Sequence, residues 1–117
     1  MELEEIEKLV RSGKSIEEVL SLIDWKEFEE KVEEIFKAHN FRTIRNFRFK
    51  TYKKFEIDII AEKRNLLFVI DCKQWGKGRY KKSALKNAAI RNLERAKEIK
   101  NTFIGRDKNV IPLIITL

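Results

Sequence analysis

The feature that most constrains this 117-residue sequence is a run of five apolar residues, 66–70, that ends directly in Asp71, Cys72 and Lys73. A short, continuous apolar run rich in β-branched residues is typical of a strand buried on both faces. Such a strand needs neighbours in a sheet and a covering layer above and below it. The run therefore predicts an α/β domain, and it places an acid and a base at the end of a central strand.

The flanking segments supply the remaining elements. Residues 41–50, 54–61 and 66–75 are aromatic and β-branched runs separated by polar residues, which predicts three consecutive strands in a meander. Asp24 is a predicted N-cap for a helix that runs to about residue 40, and Ser83 is one for a second helix. The apolar run 109–117 predicts a last, buried strand. The predicted core order is α-β-β-β-α-β, with the sheet covered on both sides.

The chain divides into two predicted parts. Residues 1–23 form a helical extension of two short helices, 2–11 and 15–23, with Ser15 and Glu18 as a capping box for the second. Residues 24–117 form the domain itself. Because the last apolar strand has no polar ending, we expect the chain to be a fragment of a longer protein or to have further elements that complete the sheet.

Charge is distributed unevenly along the sequence. The net charge is +7, but residues 1–40 carry −6 and residues 41–117 carry +13. A polyanion, with nucleic acid as the first candidate, would meet the basic part; a Lys- and Glu-rich solvated surface is the alternative. The acidic N-terminus, the single cysteine and the lack of a membrane-length apolar run predict a cytoplasmic protein with no membrane partner.

Strand alternation sorts the charged residues by face. Asp71 and Lys73 share one face of their strand, and Cys72 points to the other. In the preceding strand Asp58 lies between isoleucines, where an unpaired charge would be costly. Alternation in that strand predicts two sets: Phe55, Ile57 and Ile59 on one face, and Glu56, Asp58 and Ile60 on the opposite one.

The first long helix supplies a third acid. At about 100° per residue, its predicted buried stripe comprises Trp25, Phe28, Val32, Ile35 and Phe36, and Glu29 falls within the edge of that stripe. Alone, Glu29 would be interpreted as a salt bridge at the rim of the core. Carboxylates that converge with Asp58 and Asp71 beside Lys73 are better explained by a site for Mg²⁺ or Mn²⁺, which prefer oxygen ligands. Such a site has the ingredients of phosphodiester hydrolysis.

Asp58 followed by Asp71-Cys72-Lys73 resembles the signature of the restriction-endonuclease-like (PD-(D/E)xK) nuclease superfamily: Asp, a variable gap, Asp or Glu, any residue, Lys. The pattern is most similar to archaeal Holliday-junction resolvases and Mrr-type restriction endonucleases, because FEEKVEEIFKAHNF places Glu29 twelve residues before an aromatic residue. The resemblance covers about residues 24–117. Ile57 stands where the motif has proline, and Asp71 replaces the more frequent Glu, which shortens the reach by one methylene.

The resemblance implies a three-layer fold with a central mixed sheet and an endonuclease that hydrolyses phosphodiester bonds in DNA with Mg²⁺ or Mn²⁺. Lys73 would act on the attacking water. The implied catalytic residues are Glu29, Asp58, Asp71, Lys73 and Gln74. The implied metal ligands are Glu29, Asp58, Asp71 and the backbone carbonyl of Cys72.

Two basic clusters are predicted to contact nucleic acid, through phosphates rather than base edges. The first, on the first strand and its turn, comprises Arg45, Arg48, Lys50, Lys53 and Lys54. The second follows the third strand and comprises Trp75, Lys77, Arg79, Tyr80, Lys81 and Lys82. For Trp75, packing over the core is an equal alternative.

Several interpretations stay open at this point. Arg91 and Arg95 are interpreted as ordinary solvated charges, and a nucleophilic role for Cys72 is disfavoured because its side chain faces away from Asp71. RNA as the substrate, a homodimer and further domains are all compatible with the sequence. The rival functions are a non-catalytic nucleic-acid-binding module with the same fold and a protein-interaction domain with a salt-bridged core.

Overall fold

A computed structural model describes residues 3–14, 24–73 and 82–116 of the chain. The elements in these ranges are α1 (Leu3–Arg11), α2 (Trp25–Ala38), β1 (Arg42–Lys50), β2 (Lys54–Lys63), β3 (Leu66–Lys73), α3 (Lys82–Ile99) and β4 (Asn109–Thr116). The predicted order of the core elements is confirmed. The predicted helix at 15–23 and its capping box lie outside the described residues. No helix within the described ranges is long and apolar enough to cross a membrane.

The described strands form one mixed sheet in the order β1-β2-β3-β4. The first three strands are an antiparallel meander, and β4 runs parallel to β3. A parallel neighbour requires a crossover connection, which α3 provides. Helix α2 packs on β1 and β2, whereas α3 packs on β3 and β4, so the sheet lies between two helical layers, as predicted.

Strand β4 differs from its prediction as a buried strand. Its inner residues are half-buried rather than buried, because in the described part of the chain β4 is an edge strand with β3 as its one neighbour. An edge strand receives less cover than a central one. By contrast, five of the eight residues of β3 are buried, which agrees with its uninterrupted apolar sequence.

Each helix covers its own half of the core. The cluster under α2 comprises Phe28, Val32, Ile59, Ala61, Ile70 and Cys72. The cluster under α3 comprises Ile57, Ile60, Leu67, Val69, Ala96 and Ile99. Alternation along β3 is therefore as predicted, with Val69 on the α3 side and Ile70 and Cys72 on the α2 side.

Alternation along β2 breaks at Asp58, and here the prediction was wrong. Ile57 packs under α3 whereas Ile59 packs under α2, although they are two residues apart. Opposite this point Asn46 has a positive φ of 53°, a conformation that Asn tolerates better than most residues. Phe47 pairs with Ile57 and Arg45 with Ile59, but no pairing joins the residues between them. The backbone thus changes faces at the position where Asp58 lies.

The predicted helical faces also need correction. Trp25 and Ile35 of α2 are 39% and 46% exposed, because the sheet contacts a narrower stripe centred on Phe28 and Val32. In α3 the buried residues are Ala88, Asn92, Ala96 and Ile99. Ala89 and Leu93, which were predicted to belong to that face, are exposed. The apolar residues of α3 are thus a poor guide to its buried face, since that face contains an asparagine.

Candidate active site

The break in β2 places Asp58 at the centre of the charged cluster. Its Oδ2 accepts a hydrogen bond of 2.9 Å from the backbone N–H of Cys72. This bond lies where the β2–β3 pairing stops, since the last backbone pair before it joins Ile59 and Ile70. The Asp58 side chain therefore replaces a ladder contact and fixes its own carboxylate against β3.

Glu29 reaches the cluster from α2. It is 5% exposed, as its position in the helical stripe predicted. Arg45 of β1 donates to it over 3.2 Å and is 3.9 Å from Glu30. Burial raises the pKa of Glu29, with Asp58 acting in the same direction, and the Arg45 hydrogen bond opposes the rise. Glu29 is thus a buried carboxylate with one strong cationic partner.

Asp71 lies on the α3 side of the sheet and is 4% exposed. Its Oδ2 is 3.5 Å from Lys73 Nζ and 3.8 Å from Arg95 Nη1, yet this buried oxygen has no hydrogen-bond partner. Burial raises the pKa of Asp71; Lys73 lowers it, and the neighbouring carboxyl group of Asp58 raises it again. Strand alternation correctly placed Lys73 beside Asp71.

Cys72 packs in the core under α2. Burial and the surrounding carboxylates raise the pKa of its thiol to about 12. A protonated, buried thiol is a poor nucleophile. The structure therefore agrees with the prediction that Cys72 does not act as a nucleophile. The Cys72 side chain nevertheless lies close to two of the acids.

Three potential ligand atoms, one each from Glu29, Asp58 and Cys72, lie within 4.8 Å of one another. Asp71 is not part of that group but contacts Asp58 from the other side. Asp58 is therefore the bridge between Glu29 on the α2 face and Asp71 on the α3 face. The neutral thiol does not suit Mg²⁺ or Mn²⁺, whereas Oδ2 of Asp71, a carboxylate oxygen without a hydrogen bond, does. The carboxylates of this cluster have the oxygen chemistry that a hard divalent cation prefers.

The predicted nucleic-acid contacts within the described residues fall into three groups. Arg45 is turned towards Glu29 and is 23% exposed, so it serves the acid cluster. Arg48 and Lys53 are paired with Glu56 and Glu94 respectively. Lys50, Lys54 and Lys82 are exposed. Residues 74–81, which include Gln74 and the predicted contacts Trp75, Lys77, Arg79, Tyr80 and Lys81, lie outside the described residues.

The sequence patterns did not indicate two polar residues of α3 that lie at or near the acid cluster. Arg95 was interpreted as a solvated charge but lies at Asp71; its spacing of four residues from Ile99 on the buried face was the available signal. Asn92 is buried in α3 and donates 3.0 Å hydrogen bonds to the carbonyls of Val69 and Leu113. No apolar pattern could have identified a polar residue in this position.

A mixed sheet between two helical layers, with acids from one helix and two strands beside a strand-borne lysine, is the arrangement of a restriction-endonuclease-type domain. The chain belongs to the restriction endonuclease family Mrr_cat, whose model matches residues 20–105. An uncharacterized protein of Archaeoglobus fulgidus is 33% identical over 94 residues, which are 80% of this chain and 70% of that protein.

Structural comparison agrees with this assignment of the fold. The crystal structure of a protein of unknown function is similar with a TM-score of 0.59 at 21% identity. The match covers 75% of this chain but 44% of that one, so the chain spans less than half the length of this structural relative.

Proposed function

We propose that this chain is a divalent-metal-dependent nuclease that hydrolyses phosphodiester bonds in DNA. The observation that carries the proposal is the meeting of Asp58 with Asp71 and Glu29, beside Lys73, in a chain of the restriction endonuclease family. Glu29 and Asp71 are buried and Asp58 is half-buried, and crowding carboxylates together is costly unless cations offset their charge. Arg45, Lys73 and Arg95 offset this charge in the metal-free chain, and a divalent cation that also binds the phosphate would take over part of that role.

Metal binding is assigned to Asp58 and Asp71, with the backbone carbonyl of Cys72 as a further ligand and Glu29 next to them. The support comes from the buried Oδ2 of Asp71, which has no hydrogen-bond partner, and from the burial and neighbouring carboxylates that raise the pKa values of Glu29 and Asp71. When bound, Mg²⁺ or Mn²⁺ supplies Lewis-acid polarisation of the scissile phosphate and charge neutralisation. The protein side chains would hold the ion in place.

Lys73 is the residue assigned to the attacking water and to the phosphate. Its ammonium group is 3.5 Å from Oδ2 of Asp71 and its side chain is 32% exposed, so it is held by the site and still open to solvent. From there it can donate hydrogen bonds to a water molecule or to a phosphate oxygen as negative charge develops. Gln74, directly after it, is proposed as an additional site residue.

Glu29 is proposed to accept a hydrogen bond from the attacking water molecule, which would lie near Asp58. Its contact with Arg45 fixes its orientation, and its raised pKa makes it more basic than an ordinary glutamate. Removing Arg45 should therefore disturb the site through Glu29 rather than through loss of a DNA contact.

DNA is proposed to lie against the turn end of the β1–β2 hairpin. Lys50 and Lys54 are directly paired across the two strands, although like charges repel in this position. They line an open groove of about 510 Å³ with Arg48, Phe49, Phe55 and Glu56. Lys54 precedes Asp58 by four residues, or roughly 13 Å along a strand, which is about four base-pair steps of a duplex. Phosphates a few steps from the cleavage point can therefore reach these lysines.

The test is cleavage of supercoiled plasmid and of branched duplexes with Mg²⁺, with EDTA as the metal-free control. We expect Asp58→Asn and Lys73→Ala to lose at least about 100-fold in cleavage rate, since each removes a group that acts in the transition state. Matched controls are Asp107→Asn and Lys100→Ala, because both residues are exposed in the turn after α3. These should cut like the parent.

Equal cutting by Asp58→Asn, Lys73→Ala and the parent would refute the proposed site. Salt-sensitive DNA binding that ignores metal, with no cleavage of any substrate, would instead identify a non-catalytic binding module.

A further inference from the structure

Asp71 already has two basic neighbours, and a bound divalent cation would add further positive charge beside it. In the described residues, its ion-pair partners are Lys73 at 3.5 Å and Arg95 at 3.8 Å. Three acids (Glu29, Asp58 and Asp71) thus face three bases (Arg45, Lys73 and Arg95) before any metal ion binds, and Glu30 is a fourth acid 3.9 Å from Arg45. A divalent cation would therefore add uncompensated positive charge unless one of the bases turns elsewhere.

Arg95 is the base best placed to turn. Arg45 has a hydrogen bond to Glu29, and Lys73 shares the strand of Asp71. The contact between Arg95 and Asp71 is an ion pair without a hydrogen bond, since Oδ2 of Asp71 has no hydrogen-bond partner. The Arg95 side chain is also 23% exposed. A guanidinium on a long stem can leave a carboxylate and form a two-point contact with a phosphate.

The base of the Arg95 side chain is nevertheless fixed. One turn of α3 earlier, Asn92 donates to the carbonyls of Val69 and Leu113, and the adjacent Ala96 packs in the core. Val69 precedes Asp71 by two residues on the same face of β3. The helix is thus anchored beside the site, and only the flexible end of Arg95 needs to move.

We propose that Arg95 is a phosphate-binding residue of this site, which balances Asp71 in the metal-free chain and turns to the DNA phosphate once Asp71 binds a divalent cation. This inference rests on the proposed nuclease function and adds a residue from α3 to it. It predicts that removing the Arg95 side chain strengthens the binding of the metal ion and weakens the binding of DNA.

The experiment compares Arg95→Ala and Arg95→Lys with Arg91→Ala, a control one turn earlier on α3 where the arginine is exposed. Mn²⁺ binding is measured without DNA by electron paramagnetic resonance. Binding of a short duplex is measured by fluorescence anisotropy, once in EDTA and once in Ca²⁺. These readouts do not depend on turnover.

We expect Arg95→Ala to bind Mn²⁺ at least about fivefold more tightly than the parent, because it removes a repelling charge within about 4 Å of a ligand. The same variant should bind duplex more weakly than the parent in Ca²⁺, by about threefold or more, and equally well in EDTA. Arg95→Lys keeps the charge and should bind Mn²⁺ like the parent. Arg91→Ala should match the parent in the Mn²⁺ measurement and should not change the ratio between the two DNA measurements.

Unchanged or weaker Mn²⁺ binding by Arg95→Ala, or an equal loss of DNA affinity in EDTA and Ca²⁺, would overturn the role of Arg95 and leave the proposed function intact. A parent chain that binds no Mn²⁺ would overturn both, so the two failures are distinguishable.

Discussion

Replacing Asn92 tests whether the α3 layer is held to the sheet by hydrogen bonds rather than by apolar packing alone. Asn92 is 1% exposed, and its side-chain amide donates to Val69 of β3 and Leu113 of β4, each over 3.0 Å. Between these carbonyls the sheet has a weak point, because Val69 is paired with Pro112, which has no N–H to donate. The amide therefore supports two parallel strands where their own ladder is incomplete.

The magnitude follows from these contacts. Losing two buried hydrogen bonds costs about 1 kcal/mol each, and the small cavity left by Asn92→Ala adds roughly 0.5 kcal/mol. The better helix propensity of alanine returns about 0.5 kcal/mol. We expect Asn92→Ala to lower the free energy of unfolding by about 2 kcal/mol, which is a fall in Tm of roughly 10 °C for a chain of this size.

Urea unfolding followed by circular dichroism, in EDTA, measures this change. Asn92→Leu restores volume but cannot donate, so it should remain destabilised by at least about 1 kcal/mol. Asn87→Ala is the matched control, since Asn87 is exposed on the same helix, and it should change the stability by less than about 0.5 kcal/mol. The reasoning is refuted if Asn92→Leu is as stable as the parent, because packing alone would then explain the site.

Three further predictions concern other parts of the fold. Gly105→Ala should destabilise the chain by more than about 2 kcal/mol in the same urea assay, because an added Cβ would lie 2.4 Å from the carbonyl oxygen of Ile99; a parent-like midpoint would contradict the close approach. Cys72 should react with a thiol reagent at pH 8 only as fast as the chain unfolds, since burial raises its pKa to about 12; rapid modification of the native chain would show an accessible thiolate. Asp71→Asn should stabilise the metal-free chain at pH 7. Because the pKa of Asp71 is raised in the folded state, its protonation stabilises the folded parent as the pH falls. The difference in free energy of unfolding between Asp71→Asn and the parent should therefore shrink towards pH 4. A difference that stays constant or grows would contradict a raised pKa.

Much of the fold could be predicted from local patterns. The N-cap at Asp24, whose Oδ1 accepts from the N–H of Glu27 over 2.8 Å, and the buried run in β3 depend on short-range chemistry that the sequence displays directly. The pairing of Asp71 with Lys73 follows from alternation in a regular strand. Such features need no knowledge of the tertiary contacts.

The predictions that were wrong concern features that depend on contacts between residues far apart in the sequence. Periodicity assumes regular backbone, so it could not anticipate that β2 changes faces at Asp58 opposite the positive φ of Asn46. Periodicity also assumes that buried positions are apolar. It therefore assigned Leu93 to the buried face of α3, whereas the structure buries Asn92 and exposes Leu93. Arg95 became part of the site only through the packing of α3 beside β3. These are also the features that shape the acid cluster.

The most direct test of the proposed metal centre is a crystal structure of the chain soaked with Mn²⁺, with the ion located by its anomalous scattering. We predict one ion within about 2.0–2.3 Å of carboxylate oxygens from both Asp58 and Asp71, with the Arg95 guanidinium moved away from Asp71. Absence of an ion at these two residues, or an ion bound only by exposed acids elsewhere, would contradict the central claim.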